Sequence, residues 1–361
     1  MKKICYTVIQ LFRYYFYNMK IIIDPNHKIV YSSFYIKGLI DVFGEKNISF
    51  SSKYFHALKG KDESHSFDHY FAFIIFDNQR NILKKVVIDF RDKSSIKRSP
   101  YDWCDLYAKI NYSSATTPDE FKTKIIAIPP SFGIHIYGFR KSIYYAITNL
   151  FKSFSRLSTS PSLFLANYKG QYKRPCIDRY KPQEAEDRRV FFISTLWENE
   201  NGAAKVNAAR ATFIRECKKN PNIDFEGGLC ALSSAPQADL YKDIVINQRY
   251  TSNEYIKKTK QSLFVFNTPA LHDCHGWKLG EFLSMGKAII SYPIINDLPA
   301  PLVHGEHIHI VNNENELKSA IQILVEDKDY RSTLEKGARA YYEAYCSPDK
   351  VIKTMLPVSP F

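Results

Sequence analysis

The sequence is poor in the features that most quickly assign a function. It has no Cys-x-x-Cys pair: seven cysteines, from Cys5 to Cys346, are scattered and odd in number. That is the pattern of a reduced chain with incidental thiols, not of a disulfide scaffold or a paired-thiol zinc site. There is no His-Glu-x-x-His, and no helix-turn-helix, zinc-finger or ribonucleoprotein signature, which removes the familiar metalloprotease and nucleic-acid motifs. No apolar run approaches the 18 residues of a membrane span. No internal repeat of fixed period is visible. Glycine is sparse, 14 residues against 25 Tyr and 25 Phe, a bias that an AT-rich genome produces and that also fits aromatic-rich cores or aromatic platforms for sugar rings.

What remains is a folded, basic chain. At 361 residues it exceeds one comfortable hydrophobic core, so two domains are expected. Hydrophobic residues at 45% and charged residues at 24% argue against long disorder. The formal charge of +13 calls for an anionic partner, whether nucleic acid, a membrane surface or a phosphorylated small molecule.

Residues 1–18 begin basic and turn apolar, but Arg13 interrupts the run and no cleavage site follows, so they read as an arm or an upstream-start extension. From Met19 short apolar runs alternate with helical periodicity. Strands are expected at Lys20–Asp24, Ile48, Tyr70, Lys85 and Lys124, with a helix ending on Gly44. This predicts a parallel α/β domain over 19–165. The Pro-, Ser- and base-rich stretch from Lys152 to Arg189 reads as a connection with little regular structure, its linker core at 166–188. A second α/β domain is expected over 189–361, with strands at Arg189, Ile223, Ser262, Lys287 and His307 and two closing amphipathic helices from Asn315.

One segment, HDCHGWKLGEFLSMGKAIIS from His272 to Ser291, holds many reactive side chains. His272, Asp273, Cys274 and His275, with HGEHIH at His304–His309, are metal ligands by type, and a metal-dependent hydrolase is one reading; their spacing matches no known ligand set. A basic nucleic-acid-binding protein is another, although the cations are spread along the chain. The segment's position favours a third. A loop leaves a buried strand and enters a helix at Trp277, where ligands of open parallel sheets bind. The N–H groups of that first turn, with Gly276, form an anion seat. Lys278 adds positive charge, and Glu281, one turn on, can accept hydrogen bonds from a ribose or sugar hydroxyl.

Asp273 and Glu281 are separated by seven residues, with Gly276 between them and Gly286 five after Glu281. This order resembles the Glu-x7-Glu signature of group 1 glycosyltransferases of the GT-B fold, with aspartate in place of the first glutamate. The resemblance implies two Rossmann-like doubly wound domains facing a cleft, and a nucleotide-sugar-dependent hexosyltransferase-like enzyme that needs no metal or other cofactor. It implies that Glu281 binds the ribose, that Lys278 with the Gly276–Trp277 backbone binds the diphosphate, and that Asp273 faces the transferred sugar. Lys205 and Arg210 are the nearest candidates for the family's opposed basic pair. His27, in the loop after the first strand beside Asp24, is the candidate base; His135 lies in another such loop. The implied partners are a sugar-nucleotide donor and a saccharide or lipid-linked acceptor in envelope or surface polysaccharide synthesis. An anionic membrane surface would meet the basic aromatic linker and N-terminal arm, no nucleic acid is expected, and the location is cytoplasmic, peripheral at the inner membrane face.

Overall fold

The computed structural model describes residues 19–58, 67, 69–157, 159–197, 202–231, 238–268 and 271–356. The expected arm, 1–18, lies outside them. The chain is α/β and packs as two compact units, Met1–Cys176 with Cys346–Phe361, and Ile177–Tyr345. Among the described residues no helix is long and apolar enough to cross a membrane.

The first unit is built on strands β1 (Lys20–Ile23), β2 (Ile48–Phe50), β3 (Tyr70–Phe76), β4 (Ile82–Asp89), β5 (Leu106–Lys109) and β6 (Ile125–Ala127), in the order β2-β1-β3-β4-β5-β6. β1 and β2 are parallel, as are β4, β5 and β6, but β3 is antiparallel to both of its neighbours. The expectation of a wholly parallel sheet is therefore corrected. Only Asp77–Asn81 joins β3 to β4, far less than the dozen residues a parallel crossover requires. Asn81 N–H donates to Asp77 Oδ1 at 2.8 Å and closes that turn. Since β3 reverses twice, β1 and β4 run the same way and their carboxyl ends share one edge of the sheet.

Helix α1 (Ile29–Phe43) ends on Gly44, whose φ of 80° suits a residue without Cβ. After α2 (Arg98–Trp103) and α3 (Asp119–Lys122), α4 (Phe139–Ser153) and α5 (Pro161–Tyr172) pair with each other. α5 occupies the stretch expected to lack regular structure. Ser160 caps it by accepting the Leu163 N–H at 3.2 Å, Pro161 starts its first turn, and Phe164 and Tyr168 bury one narrow stripe.

The second unit carries two parallel sheets. In the first, β7 (Arg189–Thr195) is followed by α6 (Ala203–Lys219), β8 (Asp224–Cys230) and β9 (Val245–Ile246). After α7 (Ser252–Gln261) comes the second, with β10 (Phe264–Asn267), α8 (Trp277–Ser284), β11 (Ala288–Ser291) and β12 (His309–Ile310), closed by α9 (Glu314–Glu326) and α10 (Lys328–Tyr341). β7 and β10 begin side by side: Leu263 N–H donates to Arg189 O at 2.8 Å, and Phe191 N–H to Ser262 Oγ at 2.9 Å. Phe192, Phe213 and Phe266 fill the core behind them, Phe213 and Phe266 stacking at 4.5 Å.

The expected second domain ran to 361, whereas the second unit ends at Tyr345. The helix that follows, α11 (Pro348–Lys353), packs on α1 in the first unit. Gly38 admits it: a Cβ there would lie 2.2 Å from Pro348 O. Val351 and Ile352 are buried in that contact.

Candidate functional site

The carboxyl ends of β7 and β10 and the start of α8 meet in the second unit. Gly276, the N-cap residue of α8, is extended and brings no capping side chain of its own. Among the described residues a Cβ on Gly276 would meet nothing within 4 Å. A helix start leaves its first N–H groups without intrahelical acceptors and carries the positive end of the helix dipole.

Lys278 points back across the strand end. Its ammonium donates to the Ile193 carbonyl and lies 4.8 Å from the centroid of the Phe192 ring. Arg210, from α6, reaches the same region. Its Nη1 donates to Thr195 O at 2.9 Å and its Nε to Thr268 Oγ1 at 3.3 Å. Burial, joined by the nearby Arg210 charge, pushes Lys278 down to about 7 against the support of Glu281. Burial likewise depresses Arg210, to about 10. Among the described residues neither cation has a carboxylate within ion-pair distance. Uncompensated buried charge is costly, and here two such charges sit close enough to repel each other.

Glu281 follows on the same face of α8 and is 7% exposed. Its carboxylate faces the Tyr255 hydroxyl of α7; burial and this negative charge together hold the phenol well above its usual range. Asp273 is exposed, with φ of 54°, and Asn296 Nδ2 fixes its carbonyl at 2.9 Å. His275 is buried against the backbone of Asn296 and Asp297, and burial pushes it down to about 4. It shapes the loop that presents Asp273. Trp277 opens the helix. The His272 side chain lies outside the described residues. Among those residues no group of three or more His, Cys, Asp or Glu converges on a metal position.

Lys205 and Arg210 are not brought together as a pair. Lys205 is exposed, whereas Arg210 is buried. Five residues at 100° each place them about 140° apart around a helix. The partner of Arg210 is Lys278, from a different helix. Sequence reading also missed Thr268, Tyr255 and Asn207, whose buried amide clamps Trp197 by accepting its N–H at 3.2 Å and donating to its carbonyl at 2.8 Å. The position of Thr268, first after a buried strand, was the available signal.

In the first unit Asp24 and His27 follow β1, but both are engaged. Arg156 clamps Asp24 with two hydrogen bonds of 3.0 Å. His27 Nδ1 donates to Asp24 O at 2.7 Å, leaving Nε2 as the lone-pair nitrogen; it is buried without a hydrogen-bond partner among the described residues. Phe50 and Phe71 flank the ring, and burial pushes it down to about 4. His135 Nδ1 is held by Tyr172 O at 2.8 Å. On the same sheet edge lies a network absent from the sequence reading. Asp89, ending β4, accepts from Tyr107 Oη at 2.6 Å, Lys109 Nζ at 3.0 Å and Arg91 Nη2 at 2.6 Å. Burial raises its carboxyl, but Lys109 and Arg91 outweigh that and hold it below the usual range.

No family model matches the chain, and no curated protein matches it in sequence. Among solved structures, it is similar to the C-terminal domain of a glycosyl transferase group 1 family protein from Francisella tularensis, at 15% identity over 46% of this chain and 96% of that one, with a TM-score of 0.35. A UDP-forming α,α-trehalose-phosphate synthase from Burkholderia vietnamiensis matches at 10% identity, covering 74% of this chain and 65% of that one, with a TM-score of 0.41. The sucrose-phosphate synthase of Thermosynechococcus elongatus matches at 14% identity, covering 69% and 66%, with a TM-score of 0.37. The chain thus spans about two thirds of the length of the two synthases.

Proposed function

We propose that the chain is a GT-B-type glycosyltransferase that moves a sugar from a nucleotide-sugar donor to a saccharide or lipid-linked acceptor. Its setting in this reading is envelope or surface polysaccharide synthesis, on the cytoplasmic side of an anionic membrane. The observation that supports it is the pair of buried cations, Arg210 and Lys278, gathered at the start of α8 with no ion-pair partner among the described residues.

As the bond between the sugar and the diphosphate breaks, negative charge grows on the leaving phosphate. Lys278, Arg210 and the first-turn amides of α8, including those of Trp277 and Lys278, stabilise that charge where water is scarce. Glu281, buried one turn on, accepts hydrogen bonds from the nucleotide ribose. Asp273, held outward by its backbone, faces the transferred sugar. The positive charge needed by the leaving group comes from side chains and a helix end. His27, neutral at pH 7, contacts no group among the described residues that would carry a proton from its Nε2, and no step is assigned to it.

A nucleoside diphosphate screen by thermal shift tests this reading. At 100 times Kd a ligand adds about 2.7 kcal/mol to stability, a shift of several degrees. Glu281→Ala should abolish the shift while keeping a cooperative unfolding transition. If none of the common nucleoside diphosphates moves the wild-type midpoint, the proposal fails. Anomeric analysis of the product then separates retention, toward which the group 1 resemblance leans, from inversion.

A further inference from the structure

Helix α4 is built inside out. Its buried face consists of Ser142, Ala146, Asn149 and Ser153. Ser142 Oγ donates to Tyr137 O at 2.9 Å, and Asn149 Nδ2 to Tyr168 Oη at 2.9 Å. Its large apolar residues face outward. Phe139, Ile143, Tyr144, Ile147 and Phe151, with Phe154 just beyond, are 44–72% exposed. At 100° per residue those on the helix cover an arc of about 140° along about 18 Å. A helix normally buries such a stripe against its own core; here α5 extends the surface with exposed Leu163, Leu165 and Tyr172.

The segment that carries this stripe has charge of one sign. From Phe121 to Ile177 the chain has nine Lys and Arg and no Asp or Glu. Lys141 is paired with Glu45 at 2.7 Å and Arg156 with Asp24. Arg140 and Lys152 on α4, and Lys169 and Lys173 beside α5, are exposed. An exposed apolar and aromatic stripe accompanied by cations has the chemistry of a helix lying in the headgroup region of an anionic bilayer. A second copy of the chain fits poorly, since two such faces would bring like charges together.

We infer that the outer face of α4, with the adjoining face of α5, docks this chain on an anionic lipid surface. The inference deepens the membrane part of the function proposed above and rests on it only for the choice of an anionic bilayer. It adds the outer face of α4 to the basic aromatic linker, which contains α5, that was expected to meet the membrane. Phe139, Ile147, Phe151 and Phe154 enter the acyl boundary, and Arg140, Lys152 and Lys169 meet the phosphates.

The test is sedimentation of the full chain with vesicles of phosphatidylcholine alone or mixed with phosphatidylglycerol. The wild type should partition at least about tenfold more strongly to the anionic vesicles. Phe139→Ser with Phe151→Ser, and separately Arg140→Glu with Lys152→Glu, should each lower that partition at least about tenfold. Both pairs are exposed, so the thermal midpoint and any shift caused by soluble nucleoside diphosphate should be unchanged. Equal partition to neutral and anionic vesicles, or undiminished binding by both double variants, would overturn the inference. So would a wild type that ignores vesicles but forms a dimer that Phe151→Ser dissolves. Loss of nucleotide response in the wild type, with vesicle binding intact, would refute the donor reading and leave this one standing.

Discussion

The depressed ammonium of Lys278 makes donor binding sensitive to pH in a defined direction. In the free chain burial holds it near 7, with Arg210 opposing and Glu281 supporting its charge. A bound diphosphate supplies the missing counter-charge and returns the lysine toward its ordinary value of 10.5, so binding takes up a proton. Between pH 7 and pH 9 the free chain increasingly carries neutral lysine, and re-protonating it is charged against binding. With pKa values of about 7 free and 10.5 bound, affinity at pH 9 is about 50-fold weaker than at pH 7, about 2.3 kcal/mol. The ligand's second phosphate ionisation, near pH 6, is largely complete by then. Stability of the free protein moves oppositely. The unfolded chain keeps the proton that the folded chain has released, so stability rises with pH across the same window. Titration calorimetry at several pH values, in buffers of different ionisation heat, reads both the Kd slope and the proton uptake. Lys278→Met should bind more weakly at pH 7 and lose the slope; Cys230→Ser checks the remaining titratable neighbour. A wild-type Kd that is flat from pH 7 to 9, or an unchanged slope in Lys278→Met, refutes the reasoning.

Three other perturbations have worked signs. Arg210→Gln removes a cation that burial depresses from 12.5 to about 10, a cost of about 3 kcal/mol; the urea midpoint should hold or rise while nucleoside diphosphate affinity drops at least about 100-fold. Asp89→Asn leaves buried Lys109 and Arg91 without their carboxylate, and equilibrium denaturation should show a loss of about 3–5 kcal/mol. Because the Asp89 carboxyl is held below its ordinary value, wild-type stability should fall as pH drops through that lower range, a loss the variant lacks. Gly38→Ala would gain about 1 kcal/mol in an exposed helix, but its Cβ would meet Pro348 O at 2.2 Å and Ile352 Cγ1 at 2.7 Å. Its melting temperature should therefore fall, by about 1–3 kcal/mol in stability, and proteases should cut near Cys346 sooner; a rise would show that α11 does not pack there.

Much of the fold was legible because buried strands announce themselves: RVFFIST and SLFVFN are uniform apolar runs, and β7 and β10 lie there. β5 was missed because Lys109 breaks its apolar pattern; that lysine is buried only because Asp89 on the neighbouring strand receives it. The reversal of β3 could have been read from five connecting residues. α4 escaped notice because periodicity was sought as a route to the core, and its stripe points to solvent. The destination of α11 was not readable, since the signal is the missing side chain of Gly38. In the candidate site, the segment around Lys278 and Glu281 was legible from local spacing, whereas the partnership of Lys278 with Arg210 joins residues 68 apart that only the strand order brings together.

The return of α11 to α1 also sets an order of assembly during synthesis. The groove at Gly38 is made early, but the helix that covers it leaves the ribosome only after all of Ile177–Tyr345. At bacterial-to-eukaryotic elongation rates that is a delay of roughly ten to thirty seconds. At the end of that interval the second unit has everything it needs to fold, while the first still holds an uncovered apolar seam. The half translated first is thus the half completed last, and a chain stalled anywhere before Pro348 presents that seam to chaperones and proteases.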